Sequence, residues 1–180
     1  MITVSSQAVI PNPPEALIAQ LEDDLVIKQS GWRDFYIEAY EKSNIHHFLF
    51  CPAWHFGPAK SLSNFQDIVV GHPQHDGGVF AFYTRKVIEV CGGYHPDFRD
   101  YGWGHCEFTE RIHRAGLSGK YKINHLVGSE EFLDFVHEDS ARLISPEDRE
   151  KEGDINQSIW QRCREKGLIK VDLPDMDYED

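Results

Sequence analysis

The sequence predicts an α/β domain in which short apolar strands are interleaved with amphipathic helices. Three observations predict it. Apolar runs of strand length recur at Ala16–Leu21, Ile45–Cys51, Ile68–Val70 and Val79–Tyr83. Two further segments carry apolar residues at helical spacing, and glycine or proline marks the joints between the elements. The chain has 180 residues, enough for one domain with a real core, and 41% hydrophobic with 12% aromatic residues excludes general disorder.

Residues 1–14 end in Ile10-Pro11-Asn12-Pro13-Pro14, which cannot form a helix interior and reads as an extended arm. A single domain is expected over residues 15–170, followed by an acidic tail over 171–180. Ala16–Leu21, interrupted only by the polar Gln20, reads as a buried strand that ends at Glu22, Asp23 and Asp24. Ser30 and Gly31 then precede Trp32, Phe35, Tyr36, Ala39 and Tyr40, whose i, i+3, i+4, i+7, i+8 spacing predicts a helix with an aromatic stripe in the core. Ile45–Cys51 reads as a buried strand. Its adjacent His46 and His47 would point to opposite faces and so would not easily serve one metal. Residues 52–64, with Pro52, Gly57 and Pro58 among aromatics, read as a loop, and Ile68–Val70 as a short strand closed by Gly71 and Pro73.

From Val79–Tyr83 the chain passes through Thr84, an N-cap candidate, into a brief helix that Gly92 and Gly93 stop. An aromatic and acidic loop leads to Tyr101-Gly102-Trp103-Gly104. A second helix follows it, because Phe108, Ile112 and Ala115 share one face and Gly116 stands where a C′ glycine belongs. Lys120–Val127 alternates as a strand would. Ser145-Pro146-Glu147-Asp148 is a strong helix start, with Ile155, Ile159 and Cys163 on one face and Gly153 weakening its continuity.

The net charge of −12 argues against nucleic acid as a partner, since phosphates would be repelled. The four cysteines are widely separated and form no C-x-x-C pair, so neither a zinc knuckle nor a disulfide framework is expected. No basic region followed by an apolar leader is present, and no run approaches the ~18 apolar residues of a membrane span. A soluble, cytoplasmic protein is the expectation.

The succession of a glycine pair (Gly77, Gly78), strand, short helix, double glycine, aromatic-acidic loop and helix ending R-x-H-R-A-G resembles the second half of GT-A glycosyltransferases of the inverting family-two type. Its Gly-Trp-Gly region is similar to that of galactosyltransferases. The stretch LEDDLVIKQSGW (Leu21–Trp32) resembles the same family's metal-binding D-x-D segment, and the two motifs, spanning residues 15–117, stand in the family's order. The resemblance implies a partial GT-A domain, with a Rossmann-like mixed sheet flanked by helices. It also implies metal-dependent, inverting transfer of a hexose from a nucleotide-sugar donor to a glycan or other hydroxyl acceptor.

It further implies roles for particular residues. Glu22 and Asp24 would hold Mn2+ or Mg2+, joined by His137 in the segment F-V-H-E-D, with His125 in reserve. Asp23, Gly77, Gly78, Trp103 and Gly104 would contact substrate. Trp103, between two glycines, would serve as a sugar platform or else as a core tryptophan in a tight turn. The acid that the family places after its aromatic-glycine loop is replaced by His105-Cys106-Glu107, which leaves Glu107, Asp100 and His105 as candidates for the catalytic base. Glu107 also stands four residues before Arg111, and Glu110 four before Arg114, so both suit ordinary helix pairs worth a few tenths of a kcal/mol.

The family carries a nucleotide-binding half ahead of its acidic triplet, whereas this triplet begins at Glu22. The chain is therefore expected to be a fragment or a divergent short form, with an open sheet edge, or to take that half from a second copy or another polypeptide. The competing readings are a non-catalytic glycan-binding or scaffold remnant and a metal hydrolase built on the ten histidines. The latter lacks any H-E-x-x-H or H-x-H spacing.

Overall fold

The computed structural model describes residues 8–10, 17–22, 25–75, 77, 79–98, 102–135 and 145–172. In chain order the elements are β1 (Ala8–Ile10), β2 (Leu17–Leu21), β3 (Leu25–Ile27), α1 (Trp32–Ser43), β4 (His47–Leu49), α2 (Ala53–Phe56), β5 (Ser61–Phe65), β6 (Ile68–His72), β7 (Phe80–Thr84), α3 (Arg85–Cys91), α4 (Gly104–Arg114), β8 (His125–Leu126), a 3-10 turn (Ser129–Glu131), β9 (Leu133–Phe135) and α5 (Pro146–Glu165).

β7 organises the molecule. All five of its residues are buried, and it lies between β2 and β4 in a sheet of order β1-β2-β7-β4. Side chains alternate across a strand. Phe80 and Phe82 accordingly join Tyr36 and Ala39 of α1 with Phe48 in one core, while Ala81 and Tyr83 join Val87 and Cys91 of α3 and Phe108 and Ile112 of α4 in the other. The sheet thus has helices on both faces, and each core is closed by a helix whose apolar stripe is legible in the sequence. β5, β6 and β8 form a second, three-stranded sheet, and β3 pairs with β9 alone.

Several expectations are corrected. The chain mixes helices and strands as predicted, but every strand pair among the described residues is antiparallel, so the mixed, Rossmann-like sheet is not what these strands build. Among the described residues the one parallel pairing is an isolated bridge between Gly92 and Val171. Within the expected N-terminal arm, Ala8–Ile10 pairs with β2 and forms one edge strand of the sheet, with β4 at the other edge. The expected loop over residues 52–64 contains α2 and the start of β5, and of Lys120–Val127 only His125 and Leu126 form a strand. Thr84 precedes α3 without capping it, because its hydroxyl meets the Nδ1 of His46 at 2.8 Å instead.

α5 runs unbroken through Gly153. Its start is fixed by Ser145, whose Oγ accepts the Asp148 amide at 3.1 Å while its hydroxyl donates to the Asp148 carboxylate. Ser145→Ala is expected to lower stability by about 1 kcal/mol, read as a shift of the urea unfolding midpoint at unchanged slope.

Candidate functional site

The antiparallel pairing of β2 with β7 sets Leu21 opposite Phe80, and one step further the Glu22 amide donates to the Val79 carbonyl at 3.1 Å. The start of the acidic triplet and the end of the glycine-pair segment therefore lie side by side at one end of the central sheet. Gly77 is packed too closely for any side chain. A Cβ there would stand 2.7 Å from the Phe56 ring and 2.8 Å from the Phe50 carbonyl, and its amide donates to the Cys51 sulfur at 3.3 Å.

The aromatic-glycine loop returns to the same end through Tyr94. Its hydroxyl donates to Gln20 Oε1 at 2.9 Å, and Gln20 Nε2 donates to Glu22 Oε1 at 3.0 Å. Burial raises the Tyr94 phenol well above its ordinary pKa, so it stays protonated and keeps donating. The side-chain position at Gly104 lies 3.5 Å from the Tyr94 ring. Glu22 and Gly104, from two separate motifs, are thus linked through Gln20 and Tyr94, whereas Gly77 packs against Phe50, Cys51 and Phe56 on the β4 side of β7. Neither Gln20 nor Tyr94 was among the expected site residues. The visible signal was a lone polar residue in an otherwise apolar strand run.

β3 and β9 add a second convergence. Leu25, which directly follows Asp24, is the register partner of Phe135, which precedes His137 by two residues. Asp23, Asp24, Gly78, Asp100 and His137 themselves lie outside the described residues. Among the described residues no group of three or more His, Cys, Asp or Glu side chains is placed to hold a metal ion.

Two expected roles do not fit the geometry. Glu107 is fully buried, and both its oxygens accept from the Arg111 Nε, at 2.6 and 2.8 Å. Arg111, also fully buried, donates in addition to the carbonyls of Cys91 and Gly93. The pair is therefore neither an exposed helix pair nor a base facing a pocket; it ties α4 to the turn after α3. Trp103 sits in the left-handed region at φ 66° and stacks on Trp160 of α5, with centroids 5.1 Å apart and planes at 26°. One face of the expected sugar platform is therefore already covered. Trp160 is itself held by Nε1 donating to Glu110 at 2.9 Å, and Glu110 also pairs with Arg114 and Arg164.

His105, in the first turn of α4, is half-buried with Nε2 3.4 Å from the Cys106 sulfur. His125 is committed elsewhere. Its Nδ1 accepts the Cys51 amide at 3.0 Å and its Nε2 donates to Glu130 at 3.0 Å, so no ring nitrogen is left for the metal role held in reserve. Burial alone would raise the Glu130 carboxyl, but hydrogen bonds from His125 and from backbone amides outweigh it and leave its pKa below the ordinary value.

An open cleft of about 560 Å³ runs between the loop after Tyr94 and α5, lined by Pro96, Asp97, Ile155, Ser158, Ile159 and Arg162. None of the expected site residues that are described lines it. No family model matches the chain, and neither curated proteins nor solved structures give a match. Among the described residues, no helix is long and apolar enough to cross a membrane.

Proposed function

We infer that this protein is a metal-dependent glycosyltransferase domain, moving a hexose from a nucleotide sugar to a glycan or other hydroxyl acceptor with inversion. In this reading the described residues form the acceptor-side part of a GT-A domain. The observation that supports it most is the link from Glu22 through Gln20 and Tyr94 to the position of Gly104, which joins the start of the acidic triplet to the aromatic-glycine loop.

Glu22 and Asp24 hold the divalent cation and His137 completes the set, a donor set of hard oxygens with one imidazole that suits Mn2+ or Mg2+. When bound, that ion neutralises the leaving diphosphate. Asp23 and Gly78 form the donor wall, and Gly77 sets the course of that segment by packing closely beneath Phe56. With Glu107 withdrawn into its ion pair, Asp100 and His105 are the groups left to accept the proton of the acceptor hydroxyl. The four cysteines, three of them buried and none disulfide-bonded, accord with a cytoplasmic setting.

The test is release of nucleoside diphosphate from a panel of nucleotide sugars in the presence of Mn2+. Release by the wild-type protein is expected, with Asp24→Asn slowing it about a hundredfold or more. Release that survives both Asp24→Asn and chelation, or no release from any donor, overturns the reading. The burial of Glu107 favours one alternative, a non-catalytic glycan-binding module that kept the acceptor half. Glycan binding without any diphosphate release would establish that alternative.

A further inference from the structure

His72, the last residue of β6, is buried at 5% exposure, and the proposed transferase chemistry makes no use of it. Its ring is engaged through one face and both nitrogens. It stacks on Tyr121 at 3.8 Å and 19°, and its Nδ1 lies 3.3 Å from the Ile123 carbonyl. A carbonyl only accepts, so Nδ1 carries the proton and Nε2 accepts from the Ser63 hydroxyl at 2.8 Å. Ser63 belongs to β5, which pairs with β6, whereas Tyr121 and Ile123 come from the segment that joins α4 to β8. The Tyr121 hydroxyl is also bonded to Ser61 of β5. One neutral imidazole therefore pins that segment against the β5–β6 hairpin.

The surroundings make a charge on this ring costly. Lys120 Nζ lies over the Tyr121 ring, 5.2 Å from its centroid. The other titratable neighbours are Lys60, whose amide donates to the His72 carbonyl, Lys122 beside Ile123, and His125, which stands opposite Gly71 and is paired with Glu130. Among the described residues no carboxylate bonds to the His72 ring, in contrast to His125 and to His95, which has Asp97 at 3.9 Å. Burial lowers the imidazole pKa from its ordinary 6.5, helped by Lys120 and opposed by the hydrogen bonds of Ile123 and Asn124. A protonated Nε2 can still meet the Ser63 hydroxyl if that hydroxyl rotates, so the loss comes from a charge buried near a lysine. The Tyr121 face attracts a cation, but Lys120 already draws on that attraction. The folded state thus binds this proton less readily than the unfolded chain. The contacts hold fully above 6.5 and weaken as pH falls below it.

We propose that His72 is an acid-sensitive latch, which as a neutral ring fastens the segment around Tyr121 to the β5–β6 hairpin and on protonation lets the two part. Lys120 sets the point at which it opens. The inference is independent of the glycosyltransferase reading.

Proton NMR of the His72 ring follows charge and stack together, because the Tyr121 ring current shifts the His72 protons upfield while the rings are stacked. In a titration from about pH 8 to about pH 4, the midpoint is expected below 6.5, with the upfield shift lost at the same midpoint. Protection of the Lys60 amide against hydrogen exchange, corrected for the intrinsic effect of pH, is expected to fall about tenfold or more over that range. The Ala115 amide, which donates to the Arg111 carbonyl in α4, should keep its protection. Lys120→Glu changes an exposed residue and is expected to raise the midpoint and hold the stack to lower pH. Four results overturn the latch: a midpoint at or above 6.5, an upfield shift that survives protonation, a midpoint unmoved in Lys120→Glu, or joint loss of protection at Lys60 and Ala115, which would be acid unfolding of the whole domain.

Discussion

Arg111→Met is expected to cost about 3–5 kcal/mol of stability, a large share of the total for a domain of this size. The substitution keeps the volume of the aliphatic stem and removes the charge, leaving the Glu107 carboxylate buried and uncompensated. It also strips hydrogen bonds from the carbonyls of Cys91 and Gly93. Glu107→Gln should be milder, because its amide oxygen can still accept from the guanidinium. The double replacement Glu107→Leu with Arg111→Met should recover part of the loss, since it removes both buried charges together. Urea unfolding of the three variants measures this. A shift below about 1 kcal/mol for Arg111→Met would mean that water reaches the pair. The same series bears on catalysis: a Glu107→Gln protein as stable as the wild type but without turnover would return Glu107 to the role of base.

Gly92→Ala is expected to be comparably damaging, for a different reason. Gly92 has φ 71° and ψ −158°, a backbone region that is essentially glycine-only and costs other residues about 1–3 kcal/mol. A Cβ there would also stand 1.7 Å from the carbonyl oxygen of Val171, with which Gly92 forms a bridge. The methyl group and the bridge cannot coexist. The segment around Val171 should detach, exposing its backbone to limited proteolysis and to hydrogen exchange at the Val171 amide, which now donates to Cys91 at 2.9 Å. Gly102→Ala provides the control. It also replaces a glycine at positive φ, 82°, but nothing lies within 4 Å of its side-chain position, so only the backbone strain should appear. Equal losses at the two positions would show that the Val171 bridge carries no weight.

Long periodic segments were legible in the sequence. The aromatic stripe of α1, the apolar face of α4 and the capped start of α5 each follow from spacing and cap chemistry over several turns, and the apolar runs of β2, β4 and β7 follow from burial on both faces. The strands that escaped notice had no such signal. β3 and β9 are three residues long, too short to display a period, and β5 reads Ser-Leu-Ser-Asn-Phe because its sheet is only partly buried. Sheet direction was not legible either, since residues within a strand do not record which neighbour they will pair with.

The site was legible as motifs but not as contacts. Glu107 and Arg111 carry the spacing of a surface pair, and only the turn at Cys91–Gly93 packing over them makes the pair internal. Trp103 looks free until α5, far along the chain, brings Trp160 against it.

The placement of β7 between β2 and β4 also sets an order for synthesis. Apart from the short β1, neither β2 nor β4 has a sheet partner until Phe80–Thr84 has left the ribosome. At typical elongation rates of about 5–20 residues per second, the Leu17–Leu21 strand waits on the order of several seconds for it. In that interval the aromatic residues of α1 and β4 have no sheet to close against, and the nascent chain is most open to capture by chaperones or by another copy of itself. The strand that joins β2 to β4 in the native protein is thus also the one whose emergence first gives the aromatic residues of α1 and β4 a sheet to pack on.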